Sequence, residues 1–151
     1  MTVVRQATAA DVPTLLDLMA EFYGESAYPL DRAWAAEAFG ALLKDSSRGM
    51  VWLLDVDGAP AGHVVLSVRF AMEFGGLLGY IDDLFVKQSY RRLGVARAGL
   101  VTLLEDCRQR RCRAVHVEVA PDNVAANGLY RSFGLAPGAD ERLQLSAVLR
   151  G

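Results

Sequence analysis

Leu78 to Val86 and Ala114 to Ala120 read as apolar strands, and the residues between them read as one long amphipathic helix. In that helix, from about Leu93 to Arg111, the residues Ala96, Leu100, Leu103, Leu104 and Cys107 recur at three-four spacing. Arg108, Arg110 and Arg111 crowd its last turn, where cations suit the helix dipole. A strand, a helix and a second strand lay the two strands parallel, because parallel neighbours need a crossover. Upstream, Met50 to Asp55 and Gly62 to Phe70 flank the turn signal Asp57-Gly58-Ala59-Pro60, which makes them an antiparallel hairpin. A hairpin feeding a crossover unit implies a mixed sheet with helices on both faces, an α/β architecture.

The remaining elements fit around that sheet. Thr2 to Gln6 reads as a short strand, and Thr8 with Asp11 forms a capping-box pattern before a helix with apolar face Val12, Leu15, Leu16, Met19 and Phe22, ending at Gly24. After a loop with Tyr28 and Pro29, Asp31 caps a second helix carrying Trp34, Ala38, Leu42 and Leu43. Asn123 to Phe133 is a short helix stopped by Gly134, and Leu143 to Leu149 is expected to be a final strand. No linker divides the 151 residues, so they are read as one domain, residues 1–151.

Composition excludes several classes. With 52% hydrophobic residues and a formal charge of −2, the chain is neither disordered nor equipped for a nucleic-acid backbone. Its longest uncharged run, Gly58 to Val68, is about eleven residues with Pro60 and His63 inside, too short for a membrane span. The N-terminus has no apolar run of signal-peptide length, and a cytoplasmic protein is expected. Cys107 and Cys112 read as reduced thiols in one helical stretch, roughly 140° apart about its axis. No metal site is expected, since zinc needs four convergent ligands.

Three segments depart from what packing alone requires. In Tyr80-Ile81-Asp82-Asp83-Leu84-Phe85-Val86, adjacent carboxylates interrupt a central strand, and period two sends them to opposite faces. At least one is then partly buried, which raises its pKa toward the range of proton transfer, unless arginines or backbone N–H groups pair with it for structure alone. Arg91-Arg92-Leu93-Gly94-Val95-Ala96 leads into the long helix, where free N–H groups, a glycine and two arginines suit a pyrophosphate, or simply make a strand-to-helix turn. Lacking the glycines of a dinucleotide fingerprint and the Gly-Lys-Ser/Thr of a P-loop, it argues against both. In the third segment Asn123 and Tyr130 share a helix face ~10 Å apart with Ala126 between them, a path for a narrow ligand or an amphipathic helix with a capping Asn and a surface Tyr.

Taken in order, the segments resemble the GNAT superfamily of acetyl-CoA-dependent N-acetyltransferases. Its Arg/Gln-x-x-Gly-x-Gly/Ala motif is matched by Arg91, Gly94 and Ala96, and its Asn-x-x-Ala-x-x-apolar-Tyr motif by Asn123, Ala126, Leu129 and Tyr130. The resemblance implies central strands that splay into a V around the pantetheine arm, with a bulge through Asp82 and Asp83. It also implies that Leu84, Phe85 and Val86 pair with that arm, that Arg91, Arg92, Leu93, Gly94, Val95, Ala96 and Arg97 surround the pyrophosphate, and that Asn123, Ala126 and Tyr130 complete the acetyl-CoA site. Within the family, Tyr80 to Val86 and Arg91 to Ala96 look most like spermidine/spermine acetyltransferases. There a Glu-Asp pair matches Asp82-Asp83, and a tyrosine matching Tyr130 is the general acid.

The mechanism this implies is direct transfer to a small primary amine. Asp82, one methylene shorter than the family's Glu and so working more readily through water, takes the amine's proton with Asp83 in support. A backbone N–H near Phe85 stabilises the oxyanion, and Tyr130 protonates the leaving thiolate. Tyr23, Glu25, Tyr28 and Asp82 are candidate acceptor-binding residues, with Glu21 and Asp31 nearby. His63 and His116 read as structural histidines, and Glu118 as a second-choice base. A homodimer is the family expectation. A protein N-acetyltransferase and a non-catalytic acyl-CoA sensor remain the alternatives.

Overall fold

Asp57 and Gly58 both take left-handed backbone angles, φ +49° and +83°, the geometry that closes a two-residue hairpin between right-twisted strands. The strands it joins are β2 (Gly49–Val56) and β3 (Ala59–Ala71). The structure, a computed structural model, describes residues 1–138 and 142–149. It divides into a larger unit, Met1–Glu118, and a smaller one from Val119 onward.

In the larger unit β1 (Thr2–Gln6), β2, β3, β4 (Gly76–Val86) and β5 (Ala114–Val117) form one sheet in that spatial order. The first four are antiparallel neighbours, and β4 with β5 is parallel, as a crossover through α3 (Val95–Gln109) requires. Helices α1 (Val12–Glu25) and α2 (Arg32–Lys44) cover one face. There Val51, Leu53, Val65 and Phe85 pack against Leu15, Leu18 and Phe39. Fully burying such a side chain contributes roughly 1.5–3 kcal/mol. The alternate residues Leu54 and Val64 point to the other face, against α3, so the middle of β2 is buried on both sides. Gly99 permits that approach: a Cβ there would lie 2.7 Å from Val64 Cγ2.

The caps match the sequence. The Asp31 carboxylate accepts from the Trp34 N–H at 3.1 Å, and the Thr8 N–H donates to Asp11 at 2.8 Å. Element ends shift by up to three residues, as at β3, which begins at Ala59 and not Gly62, and three of the shifts bear on the site and the cysteines. The crossover helix starts at Val95, not Leu93, because Gly94 is its left-handed cap; β5 stops at Val117; and α3 ends at Gln109, so Cys112 lies beyond the helix after a left-handed Arg111. Both cysteines are free thiols, Cys107 buried.

In the smaller unit α4 (Val124–Ser132) is capped by Asn123, whose Oδ1 accepts from the Ala126 N–H at 3.1 Å, and the chain turns at Gly134 with φ +89°. The strand expected at Leu143 to Leu149 does not form: residues 142–149 carry no regular secondary structure, and Leu143, Leu145, Val148 and Leu149 are exposed. The alternation at Leu143 and Leu145 breaks at Ala147-Val148-Leu149, which leaves no single face to bury.

Candidate active site

The alternation of β4 is reset at the acid pair. Opposite β3, Asp83 pairs with Val65 and Ile81 with Leu66, so Asp82 is one extra residue with no partner of its own, a β-bulge. Unbroken alternation would give Ile81 and Asp83 one face. Instead Asp83 turns to the α1 face with Val65 and Phe85, where its Oδ2 lies 3.3 Å from His63 Nε2. Asp82 accepts from the hydroxyl of Ser67, which shares β3 parity with Val65 and His63. Both carboxylates therefore serve the α1 side, and the opposite-face expectation is corrected by the bulge that the family resemblance implied.

The pair sits in an acidic, aromatic setting. The Asp82 carboxyl, though exposed at its edge, is pushed above the usual carboxylate range, chiefly by lost hydration; the Ser67 hydrogen bond opposes this, and the charges of Asp83 and Glu118 add to it. On α1, the Tyr23 hydroxyl is raised by burial and then by Asp83 and Asp82. Tyr80 donates to Glu118 at 2.7 Å, and burial followed by that bond pushes its hydroxyl up to about 12.

The acids assigned to the acceptor side are tied elsewhere. Glu25 forms a two-oxygen contact with Arg91 at 2.7 and 2.6 Å, Glu21 faces Lys87 at 3.8 Å, and Asp31 is the α2 cap. Tyr28 meets Tyr23 edge to face at 6.4 Å and is otherwise exposed. Arg91 also donates to the Val86 carbonyl at 2.9 Å and lies over the Phe85 ring at 5.9 Å. Glu25 and Arg91, expected at opposite ends of the reaction, are joined in the structure.

Two features suit an elongated anionic ligand. Pairing of β4 with β5 stops at Ile81, so β4 continues through Leu84, Phe85 and Val86 with no β5 residue beside it. Beyond it, Arg92 and Gly94 take left-handed φ of +66° and +77°, and Leu93 and Gly94 are exposed where Val95, Ala96 and Arg97 open α3. The first-turn N–H groups of a helix have no carbonyl one turn back. A Cβ on Gly94 would meet nothing within 4 Å, so its role is conformational.

In α4 Asn123 is the cap, and Asn127 instead makes side-chain bonds to the Ala120 and Asn123 carbonyls at 3.0 and 2.8 Å. Ala126 is half-buried. Tyr130 is buried, not a surface residue, and burial pushes its hydroxyl up to about 12. Sequence reasoning missed His63 as a partner of the acid pair; its signal was a histidine within an apolar strand bordering the one that carries the two aspartates.

The acetyltransferase (GNAT) family profile matches residues 12–135, and the chain belongs to that family, whose enzymes take their acetyl group from acetyl-CoA. An integron cassette protein from the mobile metagenome of Cole Harbour Salt Marsh shares 36% identity and superposes with a TM-score of 0.86, covering 98% of this chain and 91% of that one. A Clostridium acetobutylicum protein assigned from its sequence as an acetyltransferase and solved with acetyl-CoA has the same fold at 16% identity, with a TM-score of 0.81 and coverage of 97% and 96%. A Bacillus subtilis (strain 168) protein provisionally assigned as a ribosomal protein bS18-alanine N-acetyltransferase is 25% identical over 105 residues, 70% of this chain and 66% of that protein. The match thus spans about two thirds of that relative's length.

Proposed function

We propose that the protein transfers an acetyl group from acetyl-CoA to the primary amine of a small cationic molecule: a polyamine, an amino acid with a side-chain amine or an aminoglycoside-like compound. The observation that carries this reading is the bulge that turns both Asp82 and Asp83 to the α1 face beside Tyr23. Two carboxylates with Glu118 behind them attract an ammonium group, and a carboxylate with raised pKa is better matched to taking its proton.

The chain's residues fit the donor. The β4 edge at Leu84, Phe85 and Val86 is suited to amide groups and the start of α3 from Arg92 to Arg97 to a pyrophosphate, while the motif likeness alone assigns Asn123 and Ala126 to the same cofactor. Acetyl-CoA supplies the activated acetyl group. Asp82 accepts the ammonium proton, directly or through one water, with Asp83 holding negative charge beside it. A backbone N–H near Phe85 would stabilise the oxygen on which charge develops. Tyr130 gives a proton to the departing sulfur; its raised pKa keeps that proton in place at neutral pH. The motif likeness favours a diamine-type acceptor. A cytoplasmic homodimer completes this reading.

The Bacillus subtilis relative favours a second reading, acetylation of a protein's N-terminal amine. Thiol release from acetyl-CoA across a panel of polyamines, amino acids, aminoglycosides and alanine-ended peptides separates them. Release with a small amine supports the first reading and release only with peptides the second. Cofactor binding without turnover contradicts both.

A further inference from the structure

Among the described residues His63 is the one buried side chain outside the hydrophobic and aromatic core, at 0% exposure in a strand whose neighbours are Val64 and Val65. An imidazole taken out of water is unfavourable unless hydrogen-bonded, and His63 meets that need at one nitrogen only. Nε2 is 3.3 Å from Asp83 Oδ2, while the buried Nδ1 has no hydrogen-bond partner. Phe22 meets the ring edge-on at 6.3 Å, and Phe85, directly opposite on β4, is tilted at 6.1 Å. The ring is thus confined, and its one polar contact is an acid adjacent to the bulged Asp82. A valine would fill the strand position without an unsatisfied nitrogen, so packing alone gives no reason for a histidine here.

The geometry points to His63 as a positioning residue: its Nε2–H holds the Asp83 carboxylate in one orientation, so that Asp83 and Asp82 face the acceptor ammonium as a fixed pair. This rests on the amine-acceptor reading above. His63 touches no substrate on this account; it acts through Asp83. The bulge leaves β4 irregular at the point where two like charges adjoin, and an acid there needs a fixed donor to keep it from turning toward solvent. Displacement of a reacting group by about 1 Å can cost ~100-fold in rate, which sets the scale of the effect.

Three measurements test it. Long-range proton–nitrogen spectra of the wild-type protein should show His63 with its proton on Nε2; a proton on Nδ1 alone, which leaves a lone pair facing the carboxylate, overturns the proposal. His63→Phe should lower kcat/KM for the amine ~10–100-fold while the KM for acetyl-CoA stays within about twofold. His63→Gln, whose amide can donate from nearly the position of Nε2, should restore most of that loss. Full activity in His63→Phe, a parallel loss of acetyl-CoA binding in both variants, or failure of Gln to rescue contradicts a positioning role. The tautomer is read without turnover: a wild-type protein inactive with every amine refutes the acceptor reading, while the His63–Asp83 contact stands or falls on its own spectrum.

Discussion

The acid pair of β4 and the turn leading into α3 are close in sequence and built in opposite ways. The turn is a local object. Its shape comes from two left-handed residues, Arg92 and Gly94, and its donors are the backbone N–H groups that any helix start leaves free. The acid pair is a tertiary object. Asp83 is met by His63 from β3, Asp82 by Ser67 from the same strand, and Tyr23 on α1 feels both charges. The difference implies a division of labour: changes at the acid pair should fall on the amine, and changes at the turn on acetyl-CoA.

The largest effect should come from Asp82→Asn, which removes the proposed base. Steady-state kinetics should show kcat/KM for the amine lower by ~100–1,000-fold, with the acetyl-CoA KM little changed. Tyr130→Phe comes next and belongs to neither region. It should reduce kcat ~10–100-fold at neutral pH while leaving both KM values in place; an unchanged kcat removes Tyr130 from the acid role. Gly94→Ala forces a Cβ into left-handed backbone at a penalty of roughly 1–2 kcal/mol, and should raise the acetyl-CoA KM about tenfold without touching the amine KM. If both KM values rise together, the two regions are not separable as described. The smallest effect is expected from Glu25→Gln. The Arg91–Glu25 pair bridges the regions but is partly exposed at both ends, so thermal unfolding should report a loss below about 1 kcal/mol.

The same contrast explains what could be read from the sequence. The strand-helix-strand unit, the Asp57-Gly58 hairpin and the Asp31 cap are written in local periodicity and turn chemistry, and they formed as expected. Gly94 was legible because a helix start needs only its own backbone. The faces of Asp82 and Asp83 were not, because period two holds only in an unbroken strand, and the bulge is defined by register against β3. Family likeness supplied the bulge where periodicity could not. The contact of His63 with Asp83 was not legible for the same reason: it lies across the sheet, twenty residues away. The pairing of Glu25 with Arg91 joins α1 to the turn after β4, and no spacing rule links those positions. Leu143 to Leu149 failed in the other direction, since apolar content without sustained alternation does not specify a strand.

Bulged Asp82, its pKa raised by lost hydration and by neighbouring Asp83 and Glu118, is the proposed base for the acceptor. A base must be charged to act, so kcat/KM for the amine should fall as pH drops through the Asp82 titration. Because that pKa is raised, the fall should begin above the ordinary carboxylate range. The decisive measurement is the pH profile of kcat/KM with the best amine of the panel, recorded for the wild-type enzyme and Asp82→Asn. With Asp82 as the base, the wild type should show an acidic limb that is absent from the residual activity of the variant. Profiles of the same shape and height in both proteins would contradict it.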